Sequence, residues 1–126
     1  MTKPKLILVV EDSEDCASTL EIALDALPEV EVRFLRTAEE ALRVLRGSQV
    51  AAIVTDIQLP GMDGLEFISQ LRGDGDHSSL PILVISGLAE PDARIRALAA
   101  GATAFFSKPF SPLAVRQKLE ALIDAQ

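Results

Sequence analysis

Residues 50–64, with the sequence VAAIVTDIQLPGMDG, join an apolar run to a polar turn, and this segment decides the fold. The apolar run at its start is typical of a short strand that is buried on both faces. Asp56 stands where this strand ends, just before a loop that contains Pro60 and Gly61. Ligands of open parallel α/β sheets bind outside the carboxyl ends of the strands, so Asp56 is a candidate functional carboxylate. An aspartate in this position can equally be a simple turn residue.

Four further strands are predicted around this one, and each of the five is followed by a helix. Residues 5–10 and 81–86 are continuous apolar runs, residues 29–34 alternate polar and apolar side chains, and residues 103–107 form a short run. The predicted helix starts are Ser13 or Asp12, Thr37, Asp63, Pro91 and Ser111. Alternation of strands and helices predicts a parallel sheet that is covered by helices on both faces.

The strand sequences also predict their order. Strands that are apolar throughout belong in the middle of a parallel sheet, and less apolar strands belong at its edges. The order 2-1-3-4-5 satisfies this condition, which predicts an α/β, flavodoxin-like, doubly wound fold with its ligand crevice between the first and third strands. No linker or repeat interrupts the pattern, so we expect residues 1–126 to form a single domain.

The composition restricts the classes of function. A chain of 126 residues that is 48% hydrophobic and 25% charged has a globular profile. Its net charge of −7 argues against direct nucleic acid binding, because phosphate backbones select basic surfaces. The only cysteine, Cys16, has no internal disulfide partner, and no stretch has the apolar length of a signal peptide or a membrane span. We therefore expect a cytoplasmic protein that does not insert into membranes.

Three carboxylates are expected in the predicted crevice. Glu11 and Asp12 follow the first strand, and Asp56 follows the third. At ~6 Å and an effective dielectric constant near 20, each pair of carboxylates repels by roughly 3 kcal/mol, so a cation is expected among them. Oxygen ligands with room for water suit Mg²⁺, or Mn²⁺ as a substitute. A role limited to capping the first helix explains one of these acidic residues better than it explains three.

Two other strand ends supply groups that suit phosphate chemistry. Ser86 places a hydroxyl at the end of the fourth strand, and Lys108 follows the fifth strand. Each residue alone could be an ordinary surface residue. Together with a metal ion they could stabilise a phosphoryl group on Asp56, because positioning and charge neutralisation supply most of the catalysis of phosphoryl transfer.

This ordered set of residues resembles the receiver domain of two-component response regulators. The segments that carry the resemblance are Glu11-Asp12, Asp56 with Leu59-Pro60-Gly61-Met62-Asp63-Gly64, Ser86, and Lys108-Pro109-Phe110. The resemblance covers essentially the whole chain. It implies that Asp56 accepts a phosphoryl group from a phosphohistidine on a sensor histidine kinase or a histidine phosphotransfer protein. It further implies a signalling switch that catalyses its own phosphorylation, rather than a classical enzyme.

The resemblance also implies roles for the surrounding residues. Glu11, Asp12, Asp56 and the backbone carbonyl of Gln58 would bind Mg²⁺, and Lys108 and Ser86 would contact the phosphoryl oxygens. The switch would consist of Ser86 and an aromatic side chain of the fifth strand. Phe105 matches that position and Phe106 is the adjacent candidate; only one of them should play the role, because side chains alternate between the faces of a strand. The signal would reach the face formed by the fourth helix, the fifth strand and the fifth helix, where an output protein or a second copy in a homodimer would bind.

Three other interpretations share part of this pattern. A phosphatase of the haloacid type needs a second aspartate two residues after the nucleophile, where Gln58 stands. An FMN carrier of the flavodoxin type needs a phosphate-binding loop after the first strand, where residues 11–15 are mostly acidic and would repel a phosphate. A phosphorylation-independent protein-interaction module of the receiver fold is the remaining alternative, although all five positions of the site are filled.

Overall fold

The computed structural model describes residues 3–87 and 92–124. The strands are β1 (Lys5–Val10), β2 (Val30–Leu35), β3 (Ala52–Thr55), β4 (Ile82–Ser86) and β5 (Ala104–Ser107). The helices are α1 (Glu14–Leu24), α2 (Ala38–Gly47), α3 (Gly64–Gly73), α4 (Ala93–Ala100) and α5 (Pro112–Asp124). All four strand pairings are parallel, and the order is β2-β1-β3-β4-β5. The predicted fold and strand order are therefore confirmed.

The helices divide between the two faces of the sheet. Leu8 and Val10 of β1 point into a core that they share with α2, α3 and α4, whereas Ile7 and Val9 point into a core that they share with α1 and α5. Strands β3 and β4 are buried along their whole length, whereas β2 and β5 are partly exposed. The less apolar strands lie at the edges because only there does one side of a strand meet water.

Capping side chains begin most of the helices. Ser13, Thr37 and Asp63 each accept a hydrogen bond from the backbone amide three residues later. Ser111 does the same at α5. Such caps satisfy amide groups that have no partner within the helix. The predicted start of the fourth helix at Pro91 lies outside the described residues.

Two local expectations need correction. Leu27, which the helical spacing assigns to the apolar face of the first helix, lies beyond the end of α1, although its side chain is still buried. Residues 73–79, expected as an irregular loop, contain a 3₁₀ turn over Gly75–His77. The Asp74 carboxylate stabilises this turn by accepting a hydrogen bond from the Asp76 amide and by lying 3.0 Å from Nδ1 of His77.

No helix within residues 3–87 and 92–124 combines the length and the apolar character that crossing a membrane requires.

The turn between β3 and α3 is closed by a glycine. The Gly64 amide donates to the carbonyl of Ile57 at 2.8 Å. A Cβ atom on Gly64 would overlap the carbonyl oxygen of Asp56 and would come within 2.8 Å of the Ile57 Cα. Both neighbours are backbone atoms, so they cannot rotate out of the way. The first turn of α3 therefore packs directly on the backbone that carries Asp56.

We expect Gly64→Ala to lower the free energy of unfolding by about 1–3 kcal/mol, because the added methyl group displaces the backbone of residues 56–57. Gly73→Ala is the matched control at the other end of α3, where no atom lies within 4 Å of the added Cβ. The control should be neutral or slightly stabilising. Urea denaturation measures both variants, and equal stabilities would contradict the packing described for Gly64.

Candidate functional site

One ammonium group joins two carboxylates at the carboxyl edge of the sheet. Nζ of Lys108 lies 2.7 Å from Oδ2 of Asp56 and 3.3 and 3.4 Å from the two carboxylate oxygens of Glu11. Glu11 follows β1, Asp56 follows β3 and Lys108 follows β5. The fold thus brings together three of the residues that the sequence singles out.

Burial and backbone donors hold the two carboxylates in place. Glu11 is 7% exposed and Asp56 is 6% exposed. The Ser13 amide donates to Glu11 at 3.0 Å, and the Gln58 amide donates to Oδ1 of Asp56 at 3.2 Å. An unpaired charge at such depth is costly, and a paired charge is attracted more strongly than in water. Each carboxylate is therefore oriented by a backbone amide, and the two share the single positive charge of Lys108, which leaves the trio with one net negative charge.

The charges of Glu11 and Lys108 respond to this arrangement. Burial raises the pKa of the Glu11 carboxyl group, and the hydrogen bond from the Ser13 amide opposes the rise. Burial alone would lower the pKa of Lys108, but the hydrogen bond and the negative charge of Asp56 outweigh it, so the pKa of the ammonium is raised. Lys108 therefore carries its positive charge at neutral pH.

The end of β4 lets Lys108 reach across to the other strands. Strand β4 lies between β5 and β3, so the lysine side chain has to pass over the end of β4. Gly87 follows this strand, and a Cβ atom there would lie 3.5 Å from Cδ of Lys108. The Lys108 amide also donates to the Ser86 carbonyl at 2.8 Å. Ser86 is only 1% exposed and lies at the end of β4, over which the lysine side chain passes.

Asp12 and Gln58 lie at the rim of this site. Both are exposed, and they line one open groove together with Leu59, Asp63 and Arg96. Among the residues that the structure describes, no three His, Cys, Asp or Glu side chains lie close enough together to hold a metal ion. Glu11 and Asp56 are buried against Lys108, whereas Asp12 is exposed beside them.

The donor chemistry of the site still suits a divalent cation. Glu11 and Asp56 supply carboxylate oxygens, and both already face one cationic group. Asp12 is the chain neighbour of Glu11, and oxygen ligands of this kind are those that Mg²⁺ prefers.

The two adjacent phenylalanines of β5 point to opposite faces of the sheet. Phe105 pairs with Val84 and packs on the core shared with α2, α3 and α4, whereas Phe106 packs on the core shared with α1 and α5. Side chains alternate along a strand, so Ser86 lies on the same face as Val84 and Phe105.

Cys16, whose helical spacing predicts a place on the apolar face of the first helix, also lies near Glu11, although it is not among the site residues that the sequence singles out. Burial, followed by the charge of Glu11, raises the pKa of its thiol to about 11, so the thiol is neutral at physiological pH. Its position in the first turn of α1, soon after Glu11, is the signal that could have placed it near the carboxyl edge of the sheet.

Comparisons with known proteins agree with this geometry. Residues 7–120 match the family described as the response regulator receiver domain. Response regulator Rre1 from Synechocystis sp. is 30% identical over 123 residues, which cover 98% of this chain and 52% of that protein. The chain spans about half the length of the curated relatives it matches.

Solved structures show the same likeness. A putative response regulator from Chloroflexus aurantiacus has a TM-score of 0.89 and 30% sequence identity, with 97% of this chain and 99% of that chain covered. The receiver domain of the sensor histidine kinase PA1611 from Pseudomonas aeruginosa, with a magnesium ion coordinated in its active site cleft, has a TM-score of 0.85 and 26% identity. That match covers 96% of this chain and 98% of the other. Receiver domains are signalling domains rather than classical enzymes, and this chain belongs to the receiver domain family of two-component response regulators.

Proposed function

We propose that this receiver domain is a phosphorylation-dependent switch and that Asp56 is its phosphoacceptor. The observation that carries the proposal is the contact of one lysine ammonium with the buried carboxylates of Asp56 and Glu11. A phosphoryl group develops negative charge on its oxygens during transfer, and a preorganised cation beside the attacking carboxylate neutralises that charge. Lys108 keeps its positive charge in this position, as its raised pKa indicates.

In the proposed reaction, a carboxylate oxygen of Asp56 attacks the phosphorus of a phosphohistidine. The donor is a sensor histidine kinase or a histidine phosphotransfer protein. An O–P bond forms while the N–P bond breaks, and the electron pair of the N–P bond stays with the histidine nitrogen. The transition state is loose, so its charge lies mainly on the equatorial phosphoryl oxygens. Lys108 and the hydroxyl of Ser86 are the proposed hydrogen-bond donors to those oxygens.

The proposal assigns Mg²⁺, or Mn²⁺ in its place, to Glu11, Asp12, Asp56 and the backbone carbonyl of Gln58. When bound, the ion would neutralise charge on the phosphoryl oxygens. The magnesium ion in the active site cleft of the related Pseudomonas receiver domain supports this assignment. Because Lys108 already contacts Glu11 and Asp56, the ammonium and the metal compete for these carboxylates.

The proposed switch acts through Ser86 and Phe105. A phosphoryl group adds roughly −1.5 to −2 charge, which attracts Lys108 and the Ser86 hydroxyl toward Asp56. Phe105 shares a face of the sheet with Ser86, which favours it over Phe106 as the aromatic switch residue. The proposed readout surface is formed by α4, β5 and α5, where Ile95, Leu98 and Leu113 are 68%, 40% and 50% exposed. Exposed apolar side chains there suit an output protein or a second copy of the chain.

The proposal takes residues 1–126 as a single receiver domain, because one sheet and the family match over residues 7–120 account for almost all of them. It also includes a cytoplasmic location, which suits a chain whose one cysteine forms no internal disulfide.

The alternative to a phosphorylation-dependent switch is a receiver-like module that binds its partner regardless of phosphorylation. Partner affinities that are equal with and without the phosphoryl group would favour that alternative.

Incubation with Mg²⁺ and acetyl phosphate should add one phosphoryl group that is stable in acid and labile in base, as measured by intact mass. Asp56→Asn should abolish the adduct because the amide is not a nucleophile. Asp25→Asn is the matched control, because it removes the same charge from an exposed residue at the C-terminal end of α1, away from the site. An adduct that persists in Asp56→Asn would exclude Asp56 as the phosphoacceptor.

Lys108→Met should lower the free energy of unfolding by roughly 1–3 kcal/mol without divalent metal, because it leaves two buried carboxylates without their cation. Adding Asp56→Asn in the same chain should recover part of this loss, since only one buried charge then remains. Lys118→Met, at an exposed lysine of α5, is the control. Urea denaturation measures the cycle, and strictly additive effects would show that Lys108 and Asp56 are not coupled.

Asp12→Asn should weaken Mg²⁺ binding by about tenfold, which isothermal titration calorimetry measures directly. The expected loss arises because the variant removes one anionic ligand from the proposed metal site. Asp15→Asn removes the same charge from an exposed position in the first turn of α1 and should leave the affinity nearly unchanged. Equal effects of the two substitutions would mean that Asp12 contributes only its long-range negative charge and is not a ligand of the ion.

A further inference from the structure

Packing holds α4 only weakly, although this helix carries part of the proposed readout surface. Of its eight residues, only Ala93 and Ala97 are buried. Each of them contributes a single methyl group, so little apolar area is removed from water. By contrast, α3 buries Phe67, Ile68 and Leu71. The position of α4 therefore depends on what its two ends are attached to.

Among the described residues, no side chain caps the N-terminal end of α4. Asp92 precedes the helix and its carboxylate makes no capping hydrogen bond, and Nη1 of Arg94 in the first turn donates to the Phe105 carbonyl at the long distance of 3.5 Å. The backbone bond from the Arg96 amide to the Asp92 carbonyl, at 2.8 Å, closes the first turn. In the sequence, four residues separate Asp92 from Gly87, which follows β4.

The C-terminal end of α4 is closed by a left-handed glycine. Gly101 has φ +117°, and its amide donates to the carbonyls of Ala97 and Leu98. The Ala102 amide donates to Ala97 at 3.0 Å, and the Thr103 amide donates to Ile82 in β4 at 2.8 Å. Glycine suits this cap because it adopts the left-handed conformation without steric cost.

The guanidinium of Arg72 links this cap to three other parts of the molecule. Arg72 lies in the last turn of α3. Its Nε donates to the Gly101 carbonyl at 2.8 Å, and its Nη1 donates to the His77 carbonyl at 3.0 Å. Its Nη2 lies 3.4 Å from the Thr103 hydroxyl. That hydroxyl also accepts a hydrogen bond from the Ile82 amide at 3.0 Å. One rigid group thus joins α3 to the 3₁₀ turn, to the end of α4 and to Thr103 just before β5, and the Thr103 hydroxyl extends the link to the first residue of β4.

Two properties of Arg72 make this link an effective anchor. Its donors form a planar fork, so the three acceptors cannot shift separately without breaking a hydrogen bond. Its cation also lies at the carbonyl end of α4, where the helix dipole favours positive charge. The acceptors are two carbonyls and a hydroxyl, which carry no net charge that a phosphoryl group elsewhere could attract.

We propose that Arg72 is a positioning residue that fixes the C-terminal end of α4, so that its N-terminal end is the end that moves when Asp56 is phosphorylated. The movement rests on the proposed function, whereas the anchoring can be measured in the unphosphorylated protein. Helix α4 then acts as a short lever whose displacement grows from Gly101 toward Asp92. A partner that binds around Ile95 would sense the switch more strongly than one that binds around Leu98.

Hydrogen exchange resolved by residue tests the anchor in the unphosphorylated full chain. In the wild type, the amides of residues 101–103 should exchange at least about tenfold more slowly than the amide of Arg96. Arg72→Ala should speed exchange of residues 101–103 by roughly tenfold to a hundredfold, which corresponds to the loss of hydrogen bonds from a charged group. Arg72→Lys, which keeps the charge but not the fork, should give an intermediate increase.

Arg43→Ala, at an exposed arginine of α2, is the matched control and should leave these amides unchanged. The core strand β1 serves as an internal reference, because a general loss of stability would speed exchange there as well. Equal exchange of residues 101–103 in Arg72→Ala and Arg43→Ala would overturn the anchor. If Arg72→Ala does not fold, Arg72→Met replaces it, since methionine keeps a long apolar side chain but has none of the hydrogen-bond donors.

Beryllofluoride with Mg²⁺, which mimics an aspartyl phosphate, tests the movement. When beryllofluoride is added to the wild type, amide chemical shifts should change more at residues 93–96 than at residues 99–102. In Arg72→Lys, the changes that beryllofluoride causes should extend to residues 99–102. Changes in the wild type that are as large at the C-terminal end would overturn the lever. Failure of Asp56 to form an adduct with acetyl phosphate would overturn the proposed function and the movement, whereas the exchange measurements would still decide whether Arg72 anchors α4.

Discussion

The ion pairs of Lys108 with Asp56 and Glu11 are the interactions on which the site depends. They join the ends of β1, β3 and β5, although β4 separates the lysine from both carboxylates. The lysine side chain passes beside Gly87, which follows β4. The pairs also allow two carboxylates to be buried side by side, an arrangement that would otherwise be strongly repulsive. A site of this kind is poised for a change of charge, because a new anion on Asp56 would alter every contact of the lysine.

The backbone around Asp56 is built to keep that carboxylate in place. Its Oδ1 accepts the amide of Gln58, and its carbonyl accepts the hydroxyl of Thr55 at 2.9 Å. Gly64 lets the first turn of α3 pack directly on this backbone. Asp56 is therefore oriented by local bonds on one side and by Lys108 on the other. The proposed phosphoacceptor can gain charge while its own position changes little.

Two cationic side chains at opposite edges of the sheet bind different kinds of acceptor. Lys108, at the carboxyl edge, is bound by carboxylates, so its partners change when the charge there changes. Arg72, at the edge where β4 and β5 begin, is bound by neutral oxygens. Under the proposed function, the first contact would respond to phosphorylation, whereas the acceptors of the second carry no net charge. Helix α4 spans the distance between the two edges, which is why we infer that one end moves and the other stays.

The sequence by itself determined the strands, their order, most of the helix caps and three residues that meet at the site, because hydrophobic runs, capping residues and strand-end carboxylates are local patterns. Only the tertiary structure decided that Glu11 turns inward to Lys108 while Asp12 is exposed, and that Arg72 ties the 3₁₀ turn at His77 to the end of α4. These outcomes rest on contacts between residues far apart in the chain, 97 positions for Glu11 and Lys108 and 29 for Arg72 and Gly101. No local pattern encodes such a contact, since it exists only after the sheet has assembled.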